Sequence, residues 1–290
     1  MELSRKDIER YREKLLETYK AFCNLCEQNG LRWYMAFGSA IGTVRHKGFI
    51  PWDDDIDVLM PRADYERFLK LQVHGATIIG PRLSEGWTFP FAKFCDAGST
   101  IWERQVYPSV MGVFVDVFPL DEADPDPRKT EALRKAYHLN YRNYRRSLRT
   151  YQSGEMRRRL AGRDFSGALK VFLDQTWYAS RAERYYRRFL EMEEHLAAAA
   201  LTGSGKNVMY STVSDYKGVT LPAEWFAATV EMPFEDTTAR MPSGYDEMLR
   251  TFYGNYMELP AREQQVSNHF HYFVDLERAL SIDQVMEILP

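Results

Sequence analysis

Four carboxylates lie within the five residues 53–57, and the apolar residues 58–60 follow directly. Carboxylates this close repel one another unless a divalent cation or a basic group offsets their charge. Because side chains alternate along a strand, Asp55 and Asp57 are expected to project from one face of a strand that continues into the core. The pattern therefore predicts a metal-binding strand, with Asp53 and Asp54 in the turn before it.

A Gly38–Ser39 pair lies upstream, where a strand predicted over 31–37 gives way to a helix predicted near 39–46. Backbone N–H groups at a helix start bind phosphate, and glycine lets the phosphate approach closely. The pair alone is a weak signal. Its position shortly before an acidic strand predicts the phosphate end of the same site.

A third carboxylate, Asp116, stands alone in the apolar strand predicted over 112–120. An unpaired acid is costly to bury in such a run, so metal binding or proton transfer is favoured over packing. Asp55, Asp57 and Asp116 are therefore expected to be both the metal ligands and the catalytic residues. Hard oxygen ligands accept Mg²⁺ and Mn²⁺ alike, so either ion is expected.

The composition is that of an ordinary globular chain. The 290 residues include 38 Lys and Arg against 41 Asp and Glu, a formal net charge of −3, which disfavours nucleic acid as a partner. The first twenty residues alternate charged and apolar side chains, which is expected of neither a signal peptide nor a membrane anchor. Three cysteines without metal-like pairing suit a reducing cytoplasm, and Cys23 and Cys26 are expected in the core.

The character of the chain changes twice, which predicts a single catalytic domain in three parts. Residues 1–126 surround the acidic strand, 127–205 are rich in Arg, Tyr, Leu and Ala at helical spacing, and 206–290 are mixed. This order predicts an α+β fold with an inserted helical block. A further helix is expected over 243–254, with Ser243 as its N-cap.

Arginines in the helical block recur at helical spacing, at 142, 145, 146 and 149, beside a stripe of tyrosines. One interpretation is a solvated charged face over a tyrosine core. The other is a basic surface for an anionic acceptor or for the inner face of a membrane. Both stay open, including peripheral association with an anionic membrane.

The stretch 38–68, GSAIGTVRHKGFIPWDDDIDVLMPRADYERF, resembles the signature of the LicD family, which belongs to the nucleotidyltransferase-fold superfamily with the fukutin-type transferases. Residues 112–121 resemble the later acidic strand of that family, and 241–269 resemble its closing motif. The chain departs from the pattern at Pro260–Ala261, where the family usually has two prolines. This departure concerns the nucleotide or acceptor site and not the metal site.

The resemblance implies a nucleotidyltransferase-like mixed β-sheet core flanked by helices, and the activity of a metal-dependent transferase of substituted phosphate groups. Phosphocholine is the foremost group, moved from a CDP-linked donor such as CDP-choline to a hydroxyl of a glycan or lipid-linked glycan. Teichoic acid and lipopolysaccharide precursors are acceptors of this kind. One alternative is a glycerol- or ribitol-phosphate transferase on the same metal site, and another is an inactive scaffold that binds nucleotide or glycan.

The family context also assigns substrate and phosphate binding to a wider set of residues. These are Gly38, Ser39, Arg45, His46, Trp52, Asp53, Lys93 and His269. A quaternary ammonium group is bound by aromatic faces, so a choline site is expected to draw on aromatic residues near the sheet. The candidates are Trp52, Trp87, Phe89, Phe91 and Trp102.

Overall fold

The computed structural model describes residues 5–200, 206–213, 219–266 and 271–289.

A long first helix covers the central sheet. Helix α1 (Arg5–Gln28) buries residues three and four positions apart, which are Tyr11, Leu15, Tyr19, Phe22 and Cys26. It ends before Gly30, whose φ of 57° is the left-handed conformation that glycine adopts without strain. The amphipathic pattern thus becomes one face of the core, and Cys26 is a core residue as predicted.

The sheet is mixed, as the sequence predicted. Its strands are β1 (Tyr34–Met35), β2 (Asp57–Pro61), β3 (Ala76–Ile79), β4 (Ala92–Asp96), β6 (Phe114–Glu122), β7 (Asn207–Met209) and β8 (Leu221–Pro222), while β5 (Thr100–Trp102) pairs outside it. The order is β1–β2–β6–β4–β3, with β7 paired to β6 and to β8. Strands β2 and β6 are parallel, and the other described pairs are antiparallel.

The register of the sheet aligns three charged residues. Asp57 on β2 lies opposite Asp116 on β6, and Asp116 lies opposite Lys93 on β4. All three are buried, since helices cover the sheet on its faces. The strand order therefore brings together residues that are far apart in the chain.

The connection from β1 into the second helix differs from the prediction. Strand β1 is two residues long, and α2 (Phe37–His46) begins before Gly38. Ala36 donates its N–H to the Asp57 carbonyl, and Phe37 then turns the chain away from the sheet with a φ of 43°. Gly38 and Ser39 consequently lie inside the first turn of the helix.

The helical block packs around a second, smaller core. A short helix, α3 (Arg62–Phe68), follows β2, and the block contains α4 (Pro127–Ser147), α5 (Glu155–Ala161), α6 (Phe165–Leu173), α7 (Ala182–Ala200) and a π-helical turn at Asp174–Tyr178. Tyr137, Tyr144 and Phe189 are buried between α4 and α7. Their packing accounts for the tyrosine stripe. The division of the chain into three parts stays a prediction.

The closing segment returns to the central core. Strands β9 (Thr229–Phe234) and β10 (Thr237–Pro242) form a hairpin, α8 (Tyr245–Tyr253) follows, β11 (Phe273–Asp275) pairs with β5, and α9 (Ile282–Ile288) comes last. The predicted cap of α8 is wrong: the Ser243 hydroxyl donates to the Trp225 carbonyl, and the helix starts after Gly244. No helix in the described part of the chain has the length and apolar character needed to cross a bilayer.

Candidate active site

Three carboxylates meet at one end of β2 and β6. Asp55, Asp57 and Asp116 each bring an oxygen to a common point, and the three oxygens lie within 4.8 Å of one another. Asp57 and Asp116 are neighbours across the parallel strands, while Asp55, predicted on the same strand as Asp57, lies in the connection before β2. Carboxylate oxygens in such a group could hold a hard divalent cation.

The electrostatics of this cluster are those of crowded acids. Burial raises the pKa of Asp57 well above its ordinary value, and the carboxylates of Asp55 and Asp116 raise this pKa further. Proximity of like charges disfavours full ionisation of the cluster unless positive charge is nearby. The cluster therefore suits a cation bound from the cleft side.

Lys93 supplies part of that positive charge. Its Nζ lies 2.8 Å from Asp116 Oδ1 and 3.7 Å from Glu103 Oε1. Burial lowers the pKa of Lys93, but the carboxylates of Asp116 and Glu103 outweigh it, so the pKa is raised. The ammonium also lies 3.2 Å from the centre of the Phe114 ring. Lys93 is thus a buried counter-charge behind Asp116.

A cleft of about 890 Å³ opens beside Asp55 and Asp57. Residues 37–57 supply one wall, with Phe37, Gly38, Ile41, Arg45, Ile50, Trp52 and Asp53. The closing segment supplies the other, with Tyr253, Asn255, Tyr256, Glu258, Leu259, Pro260, Ala261, Gln264 and Val266. The carboxylates are therefore accessible from a space large enough for a nucleotide-sized ligand.

Arg45 joins the two walls. Its Nη1 donates to the carbonyl of Tyr256 at 2.8 Å and to that of Glu258 at 3.2 Å. The guanidinium thus anchors the closing segment to α2 while it lines the cleft. His46, the next residue, packs edge-on against Trp52. Burial lowers the pKa of His46, and the charge of Arg45 lowers it as well.

The first turn of α2 is packed tightly against the acidic turn. A Cβ placed on Gly38 would lie 2.4 Å from Asp53 Oδ2, so glycine is needed for this approach. The buried hydroxyl oxygen of Ser39 accepts the Asp57 N–H at 2.9 Å. Phe37, with its positive φ, holds a conformation that costs energy for a non-glycine residue. The contacts fix α2 to the strand that carries Asp57.

Three of the aromatic residues predicted for a choline site, Trp87, Phe89 and Phe91, pack against one another, with ring centres 5.1 and 5.5 Å apart, but they are not among the residues that line the cleft. Of the five candidates, Trp52 alone is among the described residues that line the cleft. Phe89 and Phe91 surround the Lys93 ammonium at 4.4 and 5.8 Å from their ring centres. Trp87 is buried, and Trp102 packs against Tyr272 in a separate cluster. The cleft instead draws Phe37, Tyr253 and Tyr256 from other parts of the chain.

Arg12 contacts the candidate site, although no pattern in the sequence indicated this. Nη2 of Arg12, on α1, donates to the carbonyls of Ile50, Pro51 and Asp53 at 3.2, 2.8 and 2.7 Å, which holds the acidic turn in place. Only the inward pattern of α1 was visible in the sequence, since these partners are about forty positions away.

A buried histidine near Asp54 was also not indicated by the sequence. The buried His271 has its Nε2 3.9 Å from Asp54 Oδ2, and its ring lies 5.3 Å from that of Tyr11. The predicted His269 lies outside the described residues. The binding roles assigned to the predicted site residues stay predictions.

Comparisons with known proteins agree with the family suggested by the sequence. Residues 30–166 match the family model described as LicD/FKTN/FKRP, nucleotidyltransferase domain. Over 258 residues the chain is 29% identical to the lipopolysaccharide cholinephosphotransferase LicD of Haemophilus influenzae, covering 86% of this chain and 90% of that protein. An uncharacterized protein of Rickettsia typhi is 32% identical over 75 residues, covering 24% of each chain. One of Rickettsia prowazekii is 34% identical over 62 residues, covering 19% of this chain and 23% of its own.

The matched region contains the whole carboxylate cluster. Together with the mixed sheet, it defines the class of protein as a transferase of phosphate groups, which confirms the predicted enzyme class. Residues 30–166 are a LicD family domain, as the sequence resemblance indicated.

Proposed function

We propose that this protein transfers phosphocholine from a CDP-linked donor to a hydroxyl group of lipopolysaccharide or a related glycan. The observation that carries the proposal is the similarity to the cholinephosphotransferase of Haemophilus influenzae, which extends over 86% of the chain. The carboxylate cluster at the cleft supports it, because transfer of a substituted phosphate requires compensation of negative charge at the reacting centre.

A divalent cation, Mg²⁺ or Mn²⁺, fits the residues present. Asp55, Asp57 and Asp116 would hold it, since their oxygens already lie within 4.8 Å of one another. When bound, the ion neutralises charge on the phosphate oxygens.

The residues of the chain then bind and orient the reactants. The amide groups in the first turn of α2 offer an anion-binding end beside Gly38, where the cleft reaches the helix. The acceptor hydroxyl attacks the phosphorus that bears choline, its proton passes to a carboxylate of the cluster, and CMP leaves. Arg45 keeps the closing segment in position across the cleft.

The aromatic lining of the cleft supports choline as the transferred group. A quaternary ammonium ion is attracted to the faces of aromatic rings and cannot donate hydrogen bonds. Phe37, Trp52, Tyr253 and Tyr256 all line the cleft. Glycerol and ribitol are hydroxylated groups that gain little from such a lining.

A panel of donors tests the proposal. Release of CMP is measured with CDP-choline, CDP-glycerol and CDP-ribitol, with Mg²⁺ and lipopolysaccharide present. We expect turnover with CDP-choline, loss of turnover in Asp55→Asn, and normal turnover in the matched control Asp236→Asn, which alters an exposed acid paired with Lys20. Preference for CDP-glycerol or CDP-ribitol would overturn the choline assignment, and CDP-choline binding without CMP release would indicate a scaffold.

A further inference from the structure

Helices α5 and α6 hold large apolar side chains in solvent. Phe165, Leu169 and Phe172 on α6 are 67%, 57% and 50% exposed, and Leu160 on α5 is 45% exposed. Every residue of α5 is at least partly exposed, and α6 buries only Ala168 and Val171. An apolar patch of this extent on a surface marks a site of interaction.

The exposed apolar side chains of each helix lie along one stripe of that helix. Phe165, Leu169 and Phe172 are four and three positions apart, which places them on one stripe of α6. Met156 and Leu160 are four positions apart on α5, which packs beside α6. We call these five side chains the hairpin face. Trp177, 53% exposed, follows in the π-helical turn.

Basic residues border the hairpin face. Residues 155–173 contain five basic and two acidic side chains, a net charge of +3 in a chain whose net charge is −3. Within the described ranges Arg157, Arg163 and Lys170 make no ion pair with an acidic side chain. The positive charge is therefore available to an outside partner.

The neighbouring acid Asp174 does not offset this charge. Arg146 and Arg149 lie 2.7 and 3.0 Å from its carboxylate oxygens. Arg146 on α4 and Arg149 shortly after it, two of the arginines considered for a basic surface, are thus paired with an internal acid. The basic residues of the α5–α6 hairpin are not needed to balance Asp174.

We propose that the α5–α6 hairpin docks on an anionic lipid surface, with the hairpin face in the boundary between headgroups and acyl chains. Amphipathic helices with aromatic and leucine side chains on one face and Arg or Lys beside it bind membranes in this way. Basic residues are attracted to anionic headgroups, which supplies charge complementarity. A second copy would instead bring the same positive charge against this one. The proposal is independent of the reaction assigned above.

Sedimentation with vesicles tests this surface on the full-length protein. Vesicles of phosphatidylcholine are compared with vesicles of equal parts phosphatidylcholine and phosphatidylglycerol. We expect binding to the anionic vesicles, weakened about tenfold or more in Phe165→Ser/Leu169→Ser/Phe172→Ser because the buried apolar area is lost. The matched control Met286→Ser/Ile288→Ser changes two apolar residues of similar exposure on α9 and leaves binding unchanged.

The charge contribution has its own variant. We expect Arg157→Gln/Arg163→Gln/Lys170→Gln to weaken binding to anionic vesicles about tenfold or more and to reduce its dependence on salt. Thermal unfolding followed by circular dichroism establishes that each variant is folded. If the triple Ser variant unfolds, Phe165→Ser alone, at the most exposed position, replaces it.

Two results would overturn the proposal. One is a wild type that does not bind anionic vesicles, or that binds no better than the triple Ser variant. The other is a wild-type dimer in light scattering that the triple Ser variant converts to a monomer, which would assign the hairpin face to a second copy.

Discussion

Lys93 Nζ lies 2.8 Å from Asp116 Oδ1, in the same row of the sheet as Asp57. Asp116 therefore has the Lys93 ammonium next to it on β4 and the Asp57 carboxylate next to it on β2. Since Lys93 is also shared with Glu103, its charge offsets only part of the cluster. This arrangement favours a second, external cation at the cleft, where Asp55 and Asp57 are accessible.

Replacing Lys93 by methionine is expected to destabilise the protein strongly. The change removes the ammonium and leaves Asp116 and Glu103 close together without it. Breaking a buried ion pair by removing one partner costs about 3–5 kcal/mol. Urea unfolding followed by tryptophan fluorescence measures the change. The control Lys20→Met removes an exposed pair with Asp236 and is expected to matter far less. Equal losses in the two variants would contradict the role of Lys93.

Asp57→Asn is expected to stabilise the protein in the absence of metal at neutral pH. Because the folded-state pKa of Asp57 is raised above 3.8, its contribution to stability is present below that pH and is lost as pH rises through the folded-state pKa. The neutral amide removes this loss, because an asparagine cannot ionise. Thermal melts with EDTA from pH 5 to 8 measure the difference, which we expect to shrink on acidification.

Added Mg²⁺ provides the complementary measurement on the same variant. We expect Mg²⁺ to raise the melting temperature of the wild type, because binding to the folded state stabilises it. The melting temperature of Asp57→Asn should stay nearly unchanged, because this variant lacks the Asp57 carboxylate that would bind the ion. A wild type more stable than Asp57→Asn in EDTA at every pH would show that crowding of the acids is not a source of destabilisation.

The acidic cluster was predictable from sequence, and its surroundings were not. The alternation of Asp55 and Asp57 and the isolation of Asp116 are local patterns, visible without knowledge of strand order. The partners of Lys93 depend on the register of β4 against β6, which no local pattern specifies. The sequence placed Gly38 and Ser39 at the junction between a strand and a helix. In the structure β1 is shorter than the apolar run, and the helix already begins at Phe37, so both residues lie inside its first turn. Tertiary contacts decide both outcomes.

Arg62→Met is expected to weaken the attachment of the helical block. The buried guanidinium lies 2.6 Å from Asp121 on β6 and 3.1 Å from Glu193 on α7, so its loss leaves two buried carboxylates facing each other. We expect a loss of about 3–5 kcal/mol in the free energy of unfolding. Urea unfolding with limited proteolysis measures it. Arg32→Met, an exposed arginine paired with Asp64, is the control, and a similar effect of both changes would refute the buried linkage.

Gly38→Ala is expected to impair catalysis more than stability. The added Cβ would approach Asp53 Oδ2 to 2.4 Å, so the Asp53 carboxylate, which lines the cleft, has to move. Small displacements at a reacting centre are costly, and we expect kcat/KM for CMP release to fall about tenfold or more. In the control Gly98→Ala the new Cβ lies 3.6 Å from Asp96 Oδ2, an ordinary contact. Unchanged turnover in Gly38→Ala would contradict the packing of α2 against the acidic turn.

Binding of Mn²⁺, followed by electron paramagnetic resonance, tests the metal site at Asp55, Asp57 and Asp116 most directly. We expect the wild type to bind Mn²⁺ in competition with Mg²⁺, and each single Asp→Asn change to weaken binding about tenfold or more, since one carboxylate ligand is lost. The control Asp236→Asn keeps the wild-type affinity. Mn²⁺ affinity that is the same in the wild type and all three cluster variants would contradict the site.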